Sequence, residues 1–207
     1  MEPTMNATPE LMWAPQAWLD GRWQSDVLLR LGKGGRWAEI QAGAPCPAAA
    51  LRLAGPVLPG LVDAHSHAFQ RAMAGLAERR ERGEDDFWSW RDRMYRVALC
   101  ITPDQLRAVA AQLYVELLRG GYTQVCEFHY LHRAPDGSAY KDPLALSWAM
   151  ADAATEAGLG LTLLPTLYER AGFAQAGLRE DQRRFASTSA SVLDAARKLN
   201  AAKRPLL

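Results

Sequence analysis

Between residues 58 and 200 the chain alternates short apolar runs with longer runs whose apolar residues recur every three or four positions. Few folds are open to such a chain. Strands separated by helices cannot close into hairpins, so they pair side by side in a parallel sheet. Residues 61–64, 122–128 and 159–167 read as the three strands. Thr102 is placed to cap a helix, with Pro103 at its first position and Gln105 completing a reciprocal capping box. Leu106, Val109, Ala110, Leu113, Tyr114 and Leu117 then follow at helical spacing until Gly120-Gly121 stops the run. Asp142-Pro143 opens a second helix that Gly158 ends, and residues 189–200 form a third with Val192, Leu193, Ala196 and Leu199 on one side.

The preceding segment follows a different pattern. Trp18-Leu19, residues 27–31 and residues 37–40 are strand-like, separated by an Asp20-Gly21 turn and a Gly32-Lys33-Gly34-Gly35 turn. Asp-Gly between apolar runs is a hairpin signal, because both residues tolerate positive φ. A small β domain is expected over residues 1–57, with the Ala- and Pro-rich residues 42–56 connecting it to an α/β domain over residues 58–207. Trp13, Trp18, Trp23 and Trp37 read as core and domain-interface aromatics rather than a ligand cage.

The chemistry concentrates where the first α/β strand ends, in Leu58-Pro59-Gly60-Leu61-Val62-Asp63-Ala64-His65-Ser66-His67. Alternate residues of a strand share a face, so this spacing aims two imidazoles at one ion. Zinc accepts histidine nitrogen and, in catalytic sites, keeps a position open for water. On spacing alone two chance surface or core histidines are the commoner case, and the preceding Pro59-Gly60 and apolar run shift the balance toward a metal pair. Cys46, Cys100 and Cys126 are widely separated and form no Cys-x-x-Cys pair, which argues against a thiolate zinc site or a disulfide framework. With no apolar leader or membrane-length run, the expectation is a cytoplasmic protein. The net charge of +1 provides no field for nucleic acid or an anionic membrane. The mixed-sign stretch from Glu78 to Arg96 reads as a solvated loop and helix face.

Taken in order, His65-Ser66-His67-Ala68-Phe69-Gln70-Arg71-Ala72-Met73-Ala74-Gly75, Phe87-Trp88-Ser89-Trp90-Arg91 and Glu127-Phe128-His129-Tyr130 resemble the metal-dependent amidohydrolases. The likeness runs from about Trp18 to Phe185. It implies an incomplete (β/α)8 barrel of about three βα units preceded by the small β domain. An eight-stranded barrel takes about 250 residues, so the 207 residues are expected to be the N-terminal portion of a longer enzyme. An intact three-stranded α/β domain is the alternative.

The resemblance further implies one divalent metal ion, zinc first, held by His65 and His67 together with a histidine and an aspartate from later strands. The only other histidines, His129 and His132, do not match that later position, so no catalytic residue is expected within this chain. The implied reaction is metal-assisted attack of water on the formimino carbon of N-formimidoyl-L-glutamate, a step in histidine degradation, giving N-formyl-L-glutamate and ammonia. The partner is then a small-molecule substrate, and the full-length enzyme has room for a homodimer.

Arg91 offers a planar fork suited to a substrate carboxylate. Composition alone favours an exposed Arg91 paired with Asp92 or Glu84, and the surrounding motif reverses that preference. Phe87, Trp88 and Trp90 are the expected apolar wall around it. Gln70 and Tyr130 are assigned to substrate binding, although both also suit structural polar roles. His129 and Glu127 share a strand face and suggest a buried structural pair or a support behind the metal ligands, with Glu127 placed to bear on the site indirectly, and His132 reads as a loop histidine. Two further readings remain open: a related deaminase acting on a ring base, and an inactive fragment that binds metal weakly.

Overall fold

A computed structural model describes residues 9–76, 87–204 and 207, with side chains in the first long helix described from Trp90 onward. The chain divides into two compact units, Met1–Pro59 and Gly60–Leu207. Among the described residues no helix is long and apolar enough to cross a membrane.

In the first unit, β1 (Leu11–Leu19) and β2 (Arg22–Leu31) form an antiparallel hairpin in which Leu19 faces Arg22. The two-residue turn takes φ of +50° at Asp20 and +76° at Gly21, the double positive φ that a tight hairpin needs. β3 (Trp37–Gln41) pairs antiparallel with β2, and β4 (Leu51–Arg52) runs parallel to β1, giving the order β3-β2-β1-β4. Residues 42–56 are therefore more than a connection. Leu53 N–H donates to Trp13 O at 2.8 Å and Val57 N–H to Gln16 O at 2.9 Å, which satisfies the open edge of β1.

Small apolar clusters hold this sheet: Trp13, Leu28 and Ala44 in one, Ala17, Val27 and Leu29 in another. Trp13 also donates from Nε1 to Ala44 O at 2.9 Å. Of the four tryptophans expected in a core or interface, Trp13 alone is buried, while Trp18, Trp23 and Trp37 are 37–49% exposed. A short two-sided sheet has few inward positions. Trp18 and Trp23 instead pack edge-on against each other across the hairpin, 5.4 Å apart.

The second unit is built on three parallel strands, β5 (Leu61–Ser66), β6 (Tyr122–His129) and β7 (Gly160–Pro165), in that order. α1 (Phe87–Cys100) and α2 (Pro103–Arg119) lie between β5 and β6, α3 (Ala145–Ala157) lies between β6 and β7, and α4 (Ser189–Ala201) follows. α2 begins with the expected reciprocal box, in which Thr102 Oγ1 accepts from Gln105 N at 3.2 Å and Gln105 Oε1 from Thr102 N at 3.0 Å. It buries Leu106, Ala110 and Tyr114 against the sheet.

Three departures from the sequence reading have local causes. The helix in the charged connection, α1, is not solvated all round, because Met94, Tyr95 and Ala98 form a buried stripe beneath its charged residues. α3 starts at Ala145 rather than at Asp142, since Asp142 accepts from Leu144 N through Oδ1 and from Ala145 N through its carbonyl and so forms a turn. In α4 the inward positions are Ala195 and Leu199, four apart, whereas Leu193 is 57% exposed.

A turn at residues 180–185 ties these pieces together. Arg184, fully buried, donates to the carbonyls of Ala98, Ile101 and Arg133 and to the Tyr140 hydroxyl. Ala98 lies in the last turn of α1 and Ile101 just past its end, where a cation is favoured by the exposed helix carbonyls. Gln182 donates to Tyr95 Oη at 2.9 Å, so the same turn also holds the middle of α1.

Candidate metal centre

β5 is extended through Ser66, and at His67 the backbone leaves the strand (φ −134°, ψ 77°) and enters a short 3-10 helix over Ala68–Met73. That bend turns the second imidazole back toward the first. His65 Nε2 and His67 Nε2 lie 2.9 Å apart, and their rings meet edge-on at 4.7 Å. Two nitrogens bound tetrahedrally to zinc at ~2.0–2.1 Å would be about 3.3 Å apart. An opening of about 0.4 Å from the present 2.9 Å would therefore admit the ion, so the pair fits one.

The supports of the two rings differ. His65 is exposed, stacks on Phe128 at 5.7 Å, and has its backbone N–H taken by Asp63 Oδ1 at 3.2 Å. His67 is half-buried, with Nδ1 3.2 Å from the Phe128 carbonyl oxygen, a contact that places the ring proton on Nδ1 and leaves the Nε2 lone pair for a ligand. Burial, opposed by the Phe128 carbonyl and assisted by nearby His65, holds the His67 pKa below the usual imidazole range. Its neutral, metal-binding form is favoured accordingly.

Beyond the pair, Gln70 and Tyr130 meet: Gln70 Nε2 donates to Tyr130 Oη at 3.2 Å, and Tyr130 Oη donates to Met94 Sδ at 3.5 Å. The Tyr130 ring also packs edge-on to His67 at 5.2 Å, so these groups border the same place. Burial drives the Tyr130 phenol well above its ordinary pKa and keeps it a donor. Arg91, on α1, lies over the Tyr95 ring at 5.6 Å and acts electrostatically on Tyr168, whose ring is 6.0 Å from that of Tyr130. Tyr168 was not singled out from sequence, and no motif around it points to it. Trp90 packs into the core, and the side chains of Phe87 and Trp88 lie outside the described residues, as does Glu84.

Glu127 and His129 do share the buried face of β6, as alternation requires, but they do not pair with each other. Glu127 Oε1 accepts from Ala68 N at 2.6 Å, and His129 lies edge-on to His132 at 5.6 Å. Burial pushes the Glu127 carboxyl up to about 7 and the His129 imidazole down to about 3. His132 is more than an idle loop residue, with Nε2 2.8 Å from Thr166 O and its N–H donated to Arg184 O.

Among the described residues, no cluster of three or more histidine, cysteine or carboxylate side chains is arranged to hold a metal. A cleft of about 230 Å³ lined by His132, Arg133, Leu144, Val192, Asp194 and Lys198 includes neither member of the His65–His67 pair.

Residues 57–203 match the model of the amidohydrolase family. The chain is 46% identical over 190 residues to a formimidoylglutamate deiminase of Pseudomonas aeruginosa, an alignment covering 92% of this chain and 42% of that protein. A crystal structure of an amidohydrolase from Brucella melitensis superposes with a TM-score of 0.86 at 42% identity, covering 94% of this chain and 44% of that one. The zinc complex of the atrazine chlorohydrolase TrzN from Arthrobacter aurescens TC1 shares the fold, with a TM-score of 0.64 at 18% identity over 94% of this chain and 43% of the other. The chain thus spans about two fifths of the length of these relatives.

Proposed function

The chain belongs to the amidohydrolase family, and from that premise we propose that it forms the front of a metal-dependent deiminase converting N-formimidoyl-L-glutamate and water to N-formyl-L-glutamate and ammonia. In this reading the β5-β6-β7 unit contributes the first three strands of a (β/α)8 barrel, and Met1–Pro59 is the small β domain before it. The protein acts in the cytoplasm on a small-molecule substrate. One observation carries the reading: the Nε2 atoms of His65 and His67 converge at 2.9 Å beside a mouth bordered by Gln70 and Tyr130.

His65 and His67 would hold a divalent ion, zinc by the preference of imidazole donors, with further ligands from chain beyond these residues. When bound, the ion supplies Lewis-acid activation of water near neutral pH. The chain's own residues bind and orient. Arg91 presents a guanidinium fork to a substrate carboxylate, and the Tyr95 and Tyr168 rings beside it limit water around that pairing. The Tyr130 hydroxyl, kept protonated by burial, donates to the formimino group or to a carboxylate, and the Gln70 amide both donates and accepts there.

The test is ammonia release from N-formimidoyl-L-glutamate by the protein extended to the length of its relatives, with and without added zinc. Metal-dependent turnover that disappears in the His65→Ala/His67→Ala double variant is expected. Equal turnover of purine or triazine ring substrates would overturn the assignment, since an aromatic base offers no carboxylate to Arg91.

A further inference from the structure

Glu127 holds the segment around His67 from both sides. Its backbone pairs with Ser66, the residue before His67, in the β5–β6 ladder. Its side chain accepts from the N–H of Ala68, the residue after His67, at 2.6 Å. The next residue, Phe128, places its carbonyl 3.2 Å from His67 Nδ1. Consecutive residues of β6 therefore fix the histidine before, after and at its ring.

The carboxylate occupies a setting that needs a reason. Glu127 is 2% exposed and sits beside the Tyr114 phenol of α2, the Ser66 hydroxyl and the Asp63 carboxylate, with no salt bridge to a cation among the described residues. Burying a carboxylate without a cation is costly, and a methyl-bearing side chain of similar size would pack more easily. Besides its interactions with the Ser66 and Tyr114 hydroxyls, the carboxyl group captures an N–H at the start of the 3-10 helix, which an apolar side chain cannot do. Left alone, that N–H would be one of the unsatisfied donors of a helix start.

We propose that Glu127 is a positioning residue: by taking the Ala68 N–H it sets the bend at His67 and hence the convergence of the two imidazoles on one ion. This rests on reading His65 and His67 as metal ligands. The required property is reach, not charge. Supports behind metal-bound histidines are worth roughly 10–100-fold in metal affinity when removed.

Two conservative variants separate reach from charge. Glu127→Gln keeps the length and an accepting oxygen but loses the carboxylate, whereas Glu127→Asp keeps the charge and falls one methylene short of Ala68. Zinc affinity of the purified protein is read by competition with a chromophoric chelator, the His67 tautomer by ¹⁵N chemical shifts, and folding by the urea midpoint. The expected result is that Glu127→Gln binds zinc like the wild type with the Nδ1-protonated tautomer retained, while Glu127→Asp binds roughly 10-fold or more weakly. Wild-type zinc affinity in Glu127→Asp would overturn the proposal, and so would equal weakening in both variants or a change confined to the urea midpoint. The His65→Ala/His67→Ala protein is the control for the underlying reading. If it binds zinc like the wild type, the ligand assignment itself fails. If it loses zinc while Glu127→Asp does not, only the positioning role fails.

Discussion

Replacing His129 by leucine should change how stability depends on acid. The imidazole is fully enclosed, 4% exposed, and burial, with a smaller contribution from neighbouring His132, lowers its pKa from 6.5 to about 3. In the unfolded chain it takes up a proton near its ordinary pKa, whereas in the folded chain it resists until about pH 3. Between these values the unfolded state binds more protons, so His129 makes stability fall as pH falls, by about 1.4 kcal/mol per pH unit. Over the whole window that amounts to about 5 kcal/mol, the order of an entire domain's stability. Glu127 acts in the opposite sense. With its pKa raised to about 7, its folded form holds a proton that the unfolded form has lost, so its contribution falls as pH rises from about 4.5 to about 7. The two slopes oppose each other where their windows overlap, between about pH 4.5 and 6.5, and removing His129 exposes the Glu127 slope there. The assay is urea unfolding of wild type and His129→Leu at several pH values between about 4 and 6. The difference in unfolding free energy, wild type minus variant, should climb by about 1.4 kcal/mol per pH unit across that range. A difference that stays flat would refute the argument that His129 is buried in its neutral form.

Thr102→Ala removes the capping box of α2 and should cost about 1 kcal/mol in urea unfolding, with Thr102→Ser close to wild type. Gly60→Ala places a Cβ 2.2 Å from Thr123 Oγ1 and 2.8 Å from Thr123 Cβ, and should destabilise by about 1–3 kcal/mol. Made in a Thr123→Gly background, the same change should cost much less, a coupling that a double-mutant cycle reads directly. Tyr130→Phe removes the hydroxyl between Gln70 and Met94; stability should shift by about 1 kcal/mol or less while KM for N-formimidoyl-L-glutamate rises in the protein extended to its relatives' length.

Local signals in the chain carried most of the second unit. Pro103, Gln105 and the Gly120-Gly121 stop set the bounds of α2 because each acts within one helical turn of itself. The Asp20-Gly21 hairpin was legible for the same reason. The misses are long-range. Nothing near Leu51 reveals that its backbone completes the β1 edge, and nothing near Arg184 reveals carbonyls 51 to 86 residues away in sequence. The stretch holding α1 was read as a solvated loop and helix face, without the buried stripe of Met94, Tyr95 and Ala98, which charged neighbours dilute. At the site, the spacing of His65 and His67 indicated convergence. The means of convergence lay in Glu127 and Phe128, whose register against β5 includes a shift between Asp63 and Ser66 that alternation does not foresee.

Zinc K-edge X-ray absorption on the zinc-loaded protein addresses the paired imidazoles without any assumption about substrate. Comparing wild type with His65→Ala/His67→Ala should show two imidazole scatterers at about 2.0–2.1 Å lost from the metal shell of the double variant. An unchanged imidazole count in that variant would contradict the metal centre at the end of β5.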